Sequence, residues 1–257
     1  MENWRTAIRV RLYRRRHTAL LAAIVTTLAI RPLLGDFGKG PAVFSIAVLG
    51  LMLLSLYTIQ IDELAGERKS LLAEKRRRSI VGWCLAVPAI ADRLIVITHP
   101  IHSLYLAGSI VWFSLFAFIT WQELRSVLRQ KEITAETISL SISIYLLIGF
   151  TWGLFYITLY QLQPHAFSLG GLDSGAPTEQ QVSPVLIYFS LTTLSTIGFG
   201  DIVPLTLQAR YAAVAEGITG QFYLAILVAR LVGIYMSQQT QTKDSVAPEQ
   251  IGGERRS

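Results

Sequence analysis

Charged residues and cysteine are scarce in this sequence. Charged side chains make up 16% of the 257 residues, whereas soluble globular proteins carry about 25%. A chain with so little charge cannot cover a surface that faces water on every side. The single cysteine, Cys84, excludes a disulfide framework within the chain. The composition also excludes disordered, collagen-like and coiled-coil proteins.

Side-chain patterns typical of enzymes and metal sites are also lacking. The histidines are scattered along the chain, at His17, His99, His102 and His165. No nucleophile or metal-ligand motif surrounds them, so an enzyme has little support and we expect no cofactor. We interpret the basic segments as membrane-orientation signals and expect no nucleic-acid partner.

Apolar residues, by contrast, are abundant and lie in long runs. They make up 52% of the chain, and the mean hydropathy is +0.46. A helix needs about 17 to 25 apolar residues to cross a bilayer. The sequence therefore predicts an all-α membrane protein with six spanning helices, at about 18–34, 41–61, 79–97, 101–121, 137–162 and 205–236. No small-residue cleavage site follows the first apolar run, so we expect no signal peptide.

Lysine and arginine are distributed unevenly around these helices. They cluster before the first predicted helix, between the second and third, after the fourth and in the C-terminal tail. None lies between Lys131 and Arg210. The positive-inside rule then predicts a multi-pass protein of the cell membrane with both termini in the cytoplasm. The basic clusters also suit contact with anionic lipid.

A polar, turn-rich segment, residues 163–182, separates the fifth and sixth predicted helices. The apolar run that follows, 183–194, is too short for a full span and predicts a re-entrant helix. Ser183 is a suitable N-cap, and Pro184 is a suitable first helical residue. Irregular backbone at membrane depth is tolerated only next to protein or water. A half-length helix followed by a glycine-rich turn therefore indicates a pore or a binding cavity.

Two glycines alternate with larger residues directly after this helix. The run is Thr196-Ile197-Gly198-Phe199-Gly200-Asp201. Stacked rings of backbone carbonyls can replace the water of a dehydrated cation. Successive carbonyls point the same way only if the backbone conformation alternates, and glycine at alternate positions removes the steric cost. A flexible loop between two spans is the simpler interpretation, but the half-helix before the run and the acidic residue that ends it favour a pore.

This run resembles the selectivity filter of the tetrameric potassium-channel family, Thr-Val-Gly-Tyr-Gly-Asp. It matches at Thr196, Gly198, Gly200 and Asp201, and it departs at Ile197 and Phe199. The resemblance implies a homotetrameric pore for K⁺, with Asp201 at its outer mouth and the two departing side chains braced against the pore helix. The carbonyls implied to coordinate K⁺ are those of Thr196, Ile197, Gly198 and Phe199. We call Thr196–Asp201 the filter segment.

The resemblance extends to the helices on either side of the filter segment. The residues that match the family's pore helix are Tyr188, Phe189, Thr192 and Thr193. In the sixth helix, Gly220 matches a hinge glycine, with Gly217 as its competitor, but close helix packing is an equal alternative. Glu216 is ionisable and lies within a span, so it is either a functional residue or a hydrogen-bond partner behind the filter.

The first four helices occupy the position that a voltage-sensor domain has in this family. Residues 122–136 resemble the linker to the pore, with an apolar stripe of Leu124, Val127 and Leu128 typical of an interfacial helix. The fourth predicted helix, 101–121, contains no lysine or arginine. Since a voltage sensor moves several charges through the membrane field, we expect gating that is nearly independent of voltage.

Two groups of charged residues remain. Asp92 and Arg93 lie deep in the third predicted helix, either as a structural ion pair with a neighbouring helix, which we favour, or as part of a charge-transfer network. Asp173, Glu179 and Asp201 lie in the stretch without basic residues and predict an electronegative outer mouth that concentrates cations.

The sequence thus predicts four regions: an S1–S4-like domain at 1–121, an amphipathic linker helix at 122–136, a pore domain at 137–236 and a disordered cytoplasmic tail at 237–257. The main hypothesis is a potassium-selective channel. A weakly selective cation channel of the same fold is the first alternative. A secondary transporter is the second, although the sequence has no repeat of the filter segment, as two related halves would require.

Overall fold

Helices dominate the computed structural model, which describes residues 16–34, 40–65, 80–92, 102–130, 133–172 and 177–246. In chain order the helices within these ranges are α1 (Arg16–Leu34), α2 (Gly40–Ala65), α3 (Ile80–Asp92), α4 (His102–Arg129), α5 (Ala135–Leu162), α6 (Glu179–Leu194) and α7 (Leu207–Val246). A 3₁₀ turn at Gly170–Leu172 and two short strands complete the described secondary structure. The prediction of a mainly helical chain is confirmed for these ranges.

Three of the described helices are long and apolar enough to cross a membrane. The segments are Tyr105–Arg129 in α4, Ala135–Leu162 in α5 and Leu207–Ser237 in α7. The other apolar helical segments in the described ranges are shorter, at Arg16–Ile30, Ile46–Tyr57, Ile80–Asp92 and Gln181–Leu194. The membrane-type character of the chain agrees with the prediction, whereas the count of six full spans stays a prediction.

Helix α4 does not end at Trp121, where the sequence analysis places its end. It runs unbroken to Arg129, so the first half of the predicted linker helix is a continuation of α4. Gln122, Glu123 and Val127 are buried in this continuation. Because no glycine or proline interrupts the segment and its side chains are packed, the helix continues past the predicted boundary.

Helix α5 begins with a capping box and also holds the start of α1. The Thr134 hydroxyl accepts a hydrogen bond from the Thr137 N–H at 3.2 Å, and the Thr137 hydroxyl accepts one from the Thr134 N–H at 3.3 Å. In the same turn, the Glu136 carboxylate accepts hydrogen bonds from the N–H groups of His17 and Thr18, at 2.9 and 3.4 Å. The first N–H groups of a helix lack partners within it, so Glu136 caps α1.

A shared apolar core connects the first helices to the region around the filter segment. Fully buried side chains of this core include Leu20 and Ile24 in α1, Leu51 and Met52 in α2, Ala86 and Ala89 in α3, and Leu115 and Phe116 in α4. Helix α4 packs along α5, and α5 packs along α6. Helix α5 is therefore the scaffold that joins the N-terminal helices to the filter region.

Helix α6 starts about one turn earlier than the sequence predicts. It comprises the 16 residues Glu179–Leu194, with Thr178 as its N-cap. The Thr178 N–H donates a hydrogen bond to Gln181 Oε1 at 3.0 Å, which stabilises this earlier start. Ser183 is therefore not the N-cap, and Pro184 lies inside the helix. Because proline has no backbone N–H, α6 lacks one backbone hydrogen bond in its second turn.

A small antiparallel sheet ties together the two ends of the loop that contains α6 and the filter segment. Strand β1 (Phe167–Ser168) pairs with β2 (Val203–Pro204), with Phe167 opposite Pro204. Next to it, the Leu205 N–H donates a hydrogen bond to the Ala166 carbonyl at 2.8 Å. The sequence analysis predicts only turns before α6, because a pairing between distant two-residue strands leaves no periodic pattern.

Helix α7 is long and is mostly uncovered by the rest of the chain. Only 6% of its most apolar stretch is buried by the rest of the chain, whereas the corresponding stretches of α4 and α5 are 44% and 50% buried. It continues to Val246, so residues 237–246 are helical although the sequence analysis places them in a disordered tail. The stretch contains no glycine or proline, so nothing ends the helix there. The rest of the predicted tail lies outside the described residues.

Candidate functional site

The filter segment has an alternating backbone. The φ angle is +59° at Thr196, +52° at Gly198 and +78° at Gly200. Left-handed backbone favours glycine, so both glycines have the conformation for which the sequence analysis selects them. Thr196 is the only non-glycine residue with positive φ among the described residues. The sequence analysis did not predict this, because threonine carries no local signal for a left-handed conformation.

The inner half of the filter segment is hydrogen-bonded to the last turn of α6. The N–H groups of Ile197 and Gly198 donate to the Thr192 carbonyl, at 2.9 and 3.2 Å. The Thr196 N–H donates to the Thr193 carbonyl at 3.0 Å. The last carbonyls of a helix have no N–H partner within the helix, and here the N–H groups of the filter segment supply the missing hydrogen bonds. Any displacement of α6 is therefore passed directly to the filter backbone.

The outer half is braced by Tyr188. The ring of Phe199 stacks on the Tyr188 ring, with centroids 6.3 Å apart and planes at 4°. The Tyr188 hydroxyl donates a hydrogen bond to Asp201 Oδ2 at 2.9 Å, and the Ile202 N–H donates to Asp201 Oδ1 at 3.1 Å. Phe199 thus contacts α6 through Tyr188, and its role in bracing a filter stays a prediction.

The two aromatic residues that the sequence analysis pairs have separate roles. Whereas Tyr188 contacts the filter segment, Phe189 turns to the opposite side of α6 and is buried. Its ring lies 5.2 Å from that of Tyr156 in α5 and 5.4 Å from that of Phe167 in β1, measured between centroids. Phe189 therefore anchors α6 to the scaffold.

Coordination of K⁺ by the backbone carbonyls of the filter segment stays a prediction. Among the residues the structure describes, no group of three His, Cys, Asp or Glu side chains could hold a metal ion. In the single chain, the side chains of Ile197 and Phe199 are 59% and 68% exposed. A single strand of carbonyls cannot surround a cation, so a complete ring would need further copies of the segment.

The two candidate hinge glycines of α7 meet α6 at different distances. A Cβ added to Gly220 would lie 2.5 Å from the carbonyl oxygen of Leu194, whereas one added to Gly217 would lie 3.9 Å from that of Thr193. The Leu194 carbonyl also accepts a hydrogen bond from the Tyr145 hydroxyl at 3.1 Å. Close packing at the end of α6 therefore requires a glycine at 220, and its role as a hinge stays a prediction.

Glu216 is fully buried and faces α5 and α6. Its carboxylate accepts hydrogen bonds from the Tyr156 hydroxyl, at 2.6 Å, and from the Ser190 hydroxyl. Of the two roles that the sequence analysis leaves open, a hydrogen bond behind the filter is the one that this geometry matches. Ser190 and Tyr156 were not singled out from the sequence, because their role depends on three helices meeting.

The remaining charged candidates lie away from the filter segment or outside the described residues. The Asp92 carboxylate packs against α4, where a Cβ added to Gly108 would lie 2.2 Å from Asp92 Oδ1. Arg93 and Asp173 lie outside the described residues, as does the side chain of Glu179. The predicted ion pair of Asp92 and Arg93 with a neighbouring helix and the full acidic mouth therefore stay predictions.

The part of the chain that matches a known protein family includes this site. Residues 144–237 match the family described as "Ion channel". The "Voltage-gated potassium channel Kch" of Escherichia coli (strain K12) is 26% identical over 156 residues, which cover 61% of this chain and 33% of that protein. The "Two-pore potassium channel 4" of Arabidopsis thaliana is 36% identical over 67 residues, 26% of this chain and 24% of that protein. No solved structure matches the chain.

The matched family region contains most of α5, all of α6, the filter segment and most of α7. It is therefore the part of the chain in which the alternating backbone and its supporting contacts lie. The chain spans about a third of one curated relative and about a quarter of the other. The chain is therefore similar to the family described as "Ion channel" and to two proteins named as potassium channels.

Proposed function

We propose that four copies of this chain form a potassium-selective channel, which conducts K⁺ passively across the cell membrane. Each chain contributes one filter segment, and the carbonyls of residues 196–199 from four chains form the ion sites. The observation that carries this proposal is the left-handed backbone at Thr196, Gly198 and Gly200, directly after a half-length helix. Potassium is then the permeant ion rather than a cofactor.

The exposed surface of α7 supports an assembly of several copies. Large apolar side chains are exposed along this helix, among them Tyr211, Val214, Ile218, Phe222 and Ile226. A homotetramer around a central axis would cover part of this surface with neighbouring copies and leave the rest to lipid. In this arrangement α6 is a re-entrant pore helix, and α1–α5 and α7 are the six spans. Both termini lie in the cytoplasm, where the basic clusters meet anionic lipid.

Reconstitution of the purified protein into vesicles tests this function. Vesicles loaded with K⁺ and diluted into Na⁺ medium should lose K⁺ faster than Na⁺-loaded vesicles lose Na⁺ in the reverse experiment. The protein in detergent should have four times the mass of the 28.5 kDa chain. A monomer that transports neither ion would contradict the proposal.

A weakly selective cation channel is the second candidate. The observation that favours it is Phe199, which stands where the potassium-channel filter has tyrosine and which has no hydroxyl to hold the filter by a hydrogen bond. Its ring instead stacks on Tyr188. Equal rates of K⁺ and Na⁺ loss from the vesicles would select this candidate.

Replacing Asp201 with asparagine should lower the K⁺ conductance, most strongly at low ionic strength. The change removes a negative charge at the proposed outer mouth, and an exposed charge concentrates cations less as salt screens it. The asparagine oxygen can still accept the hydrogen bond from Tyr188. Single-channel conductance measured at several salt concentrations gives the result.

Tyr188→Phe is the matched control for Asp201→Asn, because it removes the 2.9 Å hydrogen bond and keeps the charge. Its conductance should depend on salt as in the unmodified channel. If both variants lower conductance equally at high and low salt, Asp201 acts through its hydrogen bond and not through its charge.

The open probability should be nearly independent of voltage. Each charge that crosses the membrane field contributes about 2.3 kcal/mol per 100 mV, so steep gating needs several charges in a moving helix. The part of α4 before Trp121 has no lysine or arginine, and Arg125 lies with its guanidinium 4.9 Å from the Trp121 ring centroid. The Escherichia coli relative, by contrast, is named as a voltage-gated channel.

Recordings from about −100 to +100 mV span a range in which moving charges would be evident. A flat or shallow curve agrees with the expectation. A steep curve equivalent to several gating charges would contradict it and direct attention to Arg93 and to Arg31, a basic residue within α1.

A further inference from the structure

A buried hydrogen-bonded group joins three helices behind the filter segment. It consists of Glu216 in α7, Ser190 in α6 and Tyr156 in α5, and each of the three side chains is almost fully buried. The Glu216 carboxylate accepts hydrogen bonds from both hydroxyls. A carboxyl group is costly to bury unless it is hydrogen-bonded, so this group must remain intact for the three helices to pack.

Ser190 connects this group to the backbone that supports the filter segment. Its hydroxyl oxygen lies 2.6 Å from the Gly149 carbonyl of α5, in addition to its contact with Glu216. Two residues further along α6, the Thr192 carbonyl accepts the hydrogen bonds of Ile197 and Gly198. Glu216 in α7 is therefore connected to the filter backbone through one side-chain contact, with Ser190, and about half a turn of α6.

Two glycines of α5 allow α6 to pack closely against it. A Cβ added to Gly149 would lie 2.7 Å from a methyl group of Leu191, and one added to Gly153 would lie 3.0 Å from the Ile187 Cα. These approaches fix the distance between α5 and α6, and neither of them involves α7. The hydrogen bond from Ser190 to Glu216 is directional, so it fixes the position of α6 along that contact.

We propose that Glu216 is a positioning residue for potassium selectivity, which holds Ser190 and thereby sets the height of the pore helix and the geometry of the carbonyls of the filter segment. This inference rests on the proposed channel function. It concerns selectivity because carbonyl rings distinguish ions by oxygens whose positions the scaffold supports. Glu216 itself touches no permeant ion.

The test compares K⁺/Na⁺ permeability ratios of the reconstituted full-length channel and four variants. Ser190→Ala removes one hydroxyl from α6, and Glu216→Leu removes the acceptor. Both should lower the permeability ratio about tenfold, equivalent to about 1.4 kcal/mol. Glu216→Gln should restore most of the ratio, since its amide can donate to the Ser190 oxygen and accept from Tyr156 while Ser190 donates to Gly149.

Thr120→Val is the matched control. The Thr120 hydroxyl lies 3.0 Å from that of Thr151 and joins α4 to α5, so its loss removes a buried interhelical contact without touching α6. This variant should keep the permeability ratio of the unmodified channel. A merely structural role for Glu216 would lower thermal stability in Ser190→Ala and Thr120→Val alike and leave both ratios unchanged.

The outcomes separate this inference from the proposed function. An unmodified channel without potassium selectivity would overturn both. A selective unmodified channel with an equally selective Ser190→Ala variant would overturn only the positioning role, as would a Glu216→Gln variant as impaired as Glu216→Leu. If Glu216→Leu does not assemble, the permeability ratio of Ser190→Ala decides the result, because that variant loses only a single hydroxyl group.

Discussion

Replacing Gly198 with alanine is expected to abolish potassium selectivity or conduction. Gly198 has φ of +52°, and a Cβ added there would meet nothing within 4 Å in the chain. The cost is therefore conformational, about 1–2 kcal/mol for an L-residue in left-handed backbone. In the proposed tetramer the cost arises four times around one ring of carbonyls. The alanine backbone is expected to leave the left-handed region and turn its carbonyl away from the pore.

Gly50→Ala is the matched control for this change. A Cβ at Gly50 also meets nothing within 4 Å, but the residue lies in α2 and has no positive φ. Alanine there should slightly stabilise the helix and leave ion flux unchanged. Vesicle flux and single-channel recordings compare the two variants. Normal selectivity in Gly198→Ala would mean that the ion pathway lies elsewhere in the molecule.

Replacing Gly220 with alanine should destabilise the packing of α7 against the end of α6, whereas the same change at Gly217 should have little effect. The added Cβ at Gly220 would lie 2.5 Å from the Leu194 carbonyl oxygen and 2.9 Å from a Leu194 methyl group. The backbone oxygen cannot rotate away, so α7 must separate from the end of α6. Overpacking of this kind costs about 1–3 kcal/mol. The displaced end of α6 carries the filter segment, so selectivity should fall as well.

The Gly217→Ala variant provides the comparison, because its Cβ would lie 3.9 Å from the Thr193 carbonyl oxygen, an ordinary contact distance. The thermal stability of the detergent-solubilised assembly and its K⁺/Na⁺ permeability ratio should both be lower in Gly220→Ala than in Gly217→Ala. If Gly220→Ala keeps its stability and selectivity but changes only open probability, Gly220 acts as a hinge instead of a packing residue.

Local sequence patterns predicted those parts of the filter segment that local chemistry determines. Gly198 and Gly200 were identified because alternate glycines are what an alternating backbone requires, and both have positive φ. Thr196 has the same conformation because it follows the last turn of α6, where its N–H donates to the Thr193 carbonyl and the Ile197 N–H donates to the Thr192 carbonyl. Residues of this kind cannot be recognised from spacing alone.

Features that depend on distant parts of the chain were missed for the same reason. The continuation of α4 to Arg129 follows from the burial of Gln122 and Glu123, which the apolar stripe of the predicted linker does not include. The pairing of Phe167 with Pro204 and the contact of Ser190 with Glu216 each join segments far apart in the chain. Apolar run lengths identified the helices, but tertiary contacts determined where they end and which side chains meet.

The reversal potential of the reconstituted channel under a K⁺/Na⁺ gradient is the decisive test of potassium selectivity. With a tenfold K⁺ gradient and balanced Na⁺, a potassium-selective pore should reverse near the K⁺ equilibrium potential, about 59 mV from zero. Purified protein in a planar bilayer gives this value without knowledge of the gating stimulus, provided that some channels open. We expect a reversal potential that follows the K⁺ gradient as it is changed. A current that reverses near zero at every K⁺ gradient would contradict it.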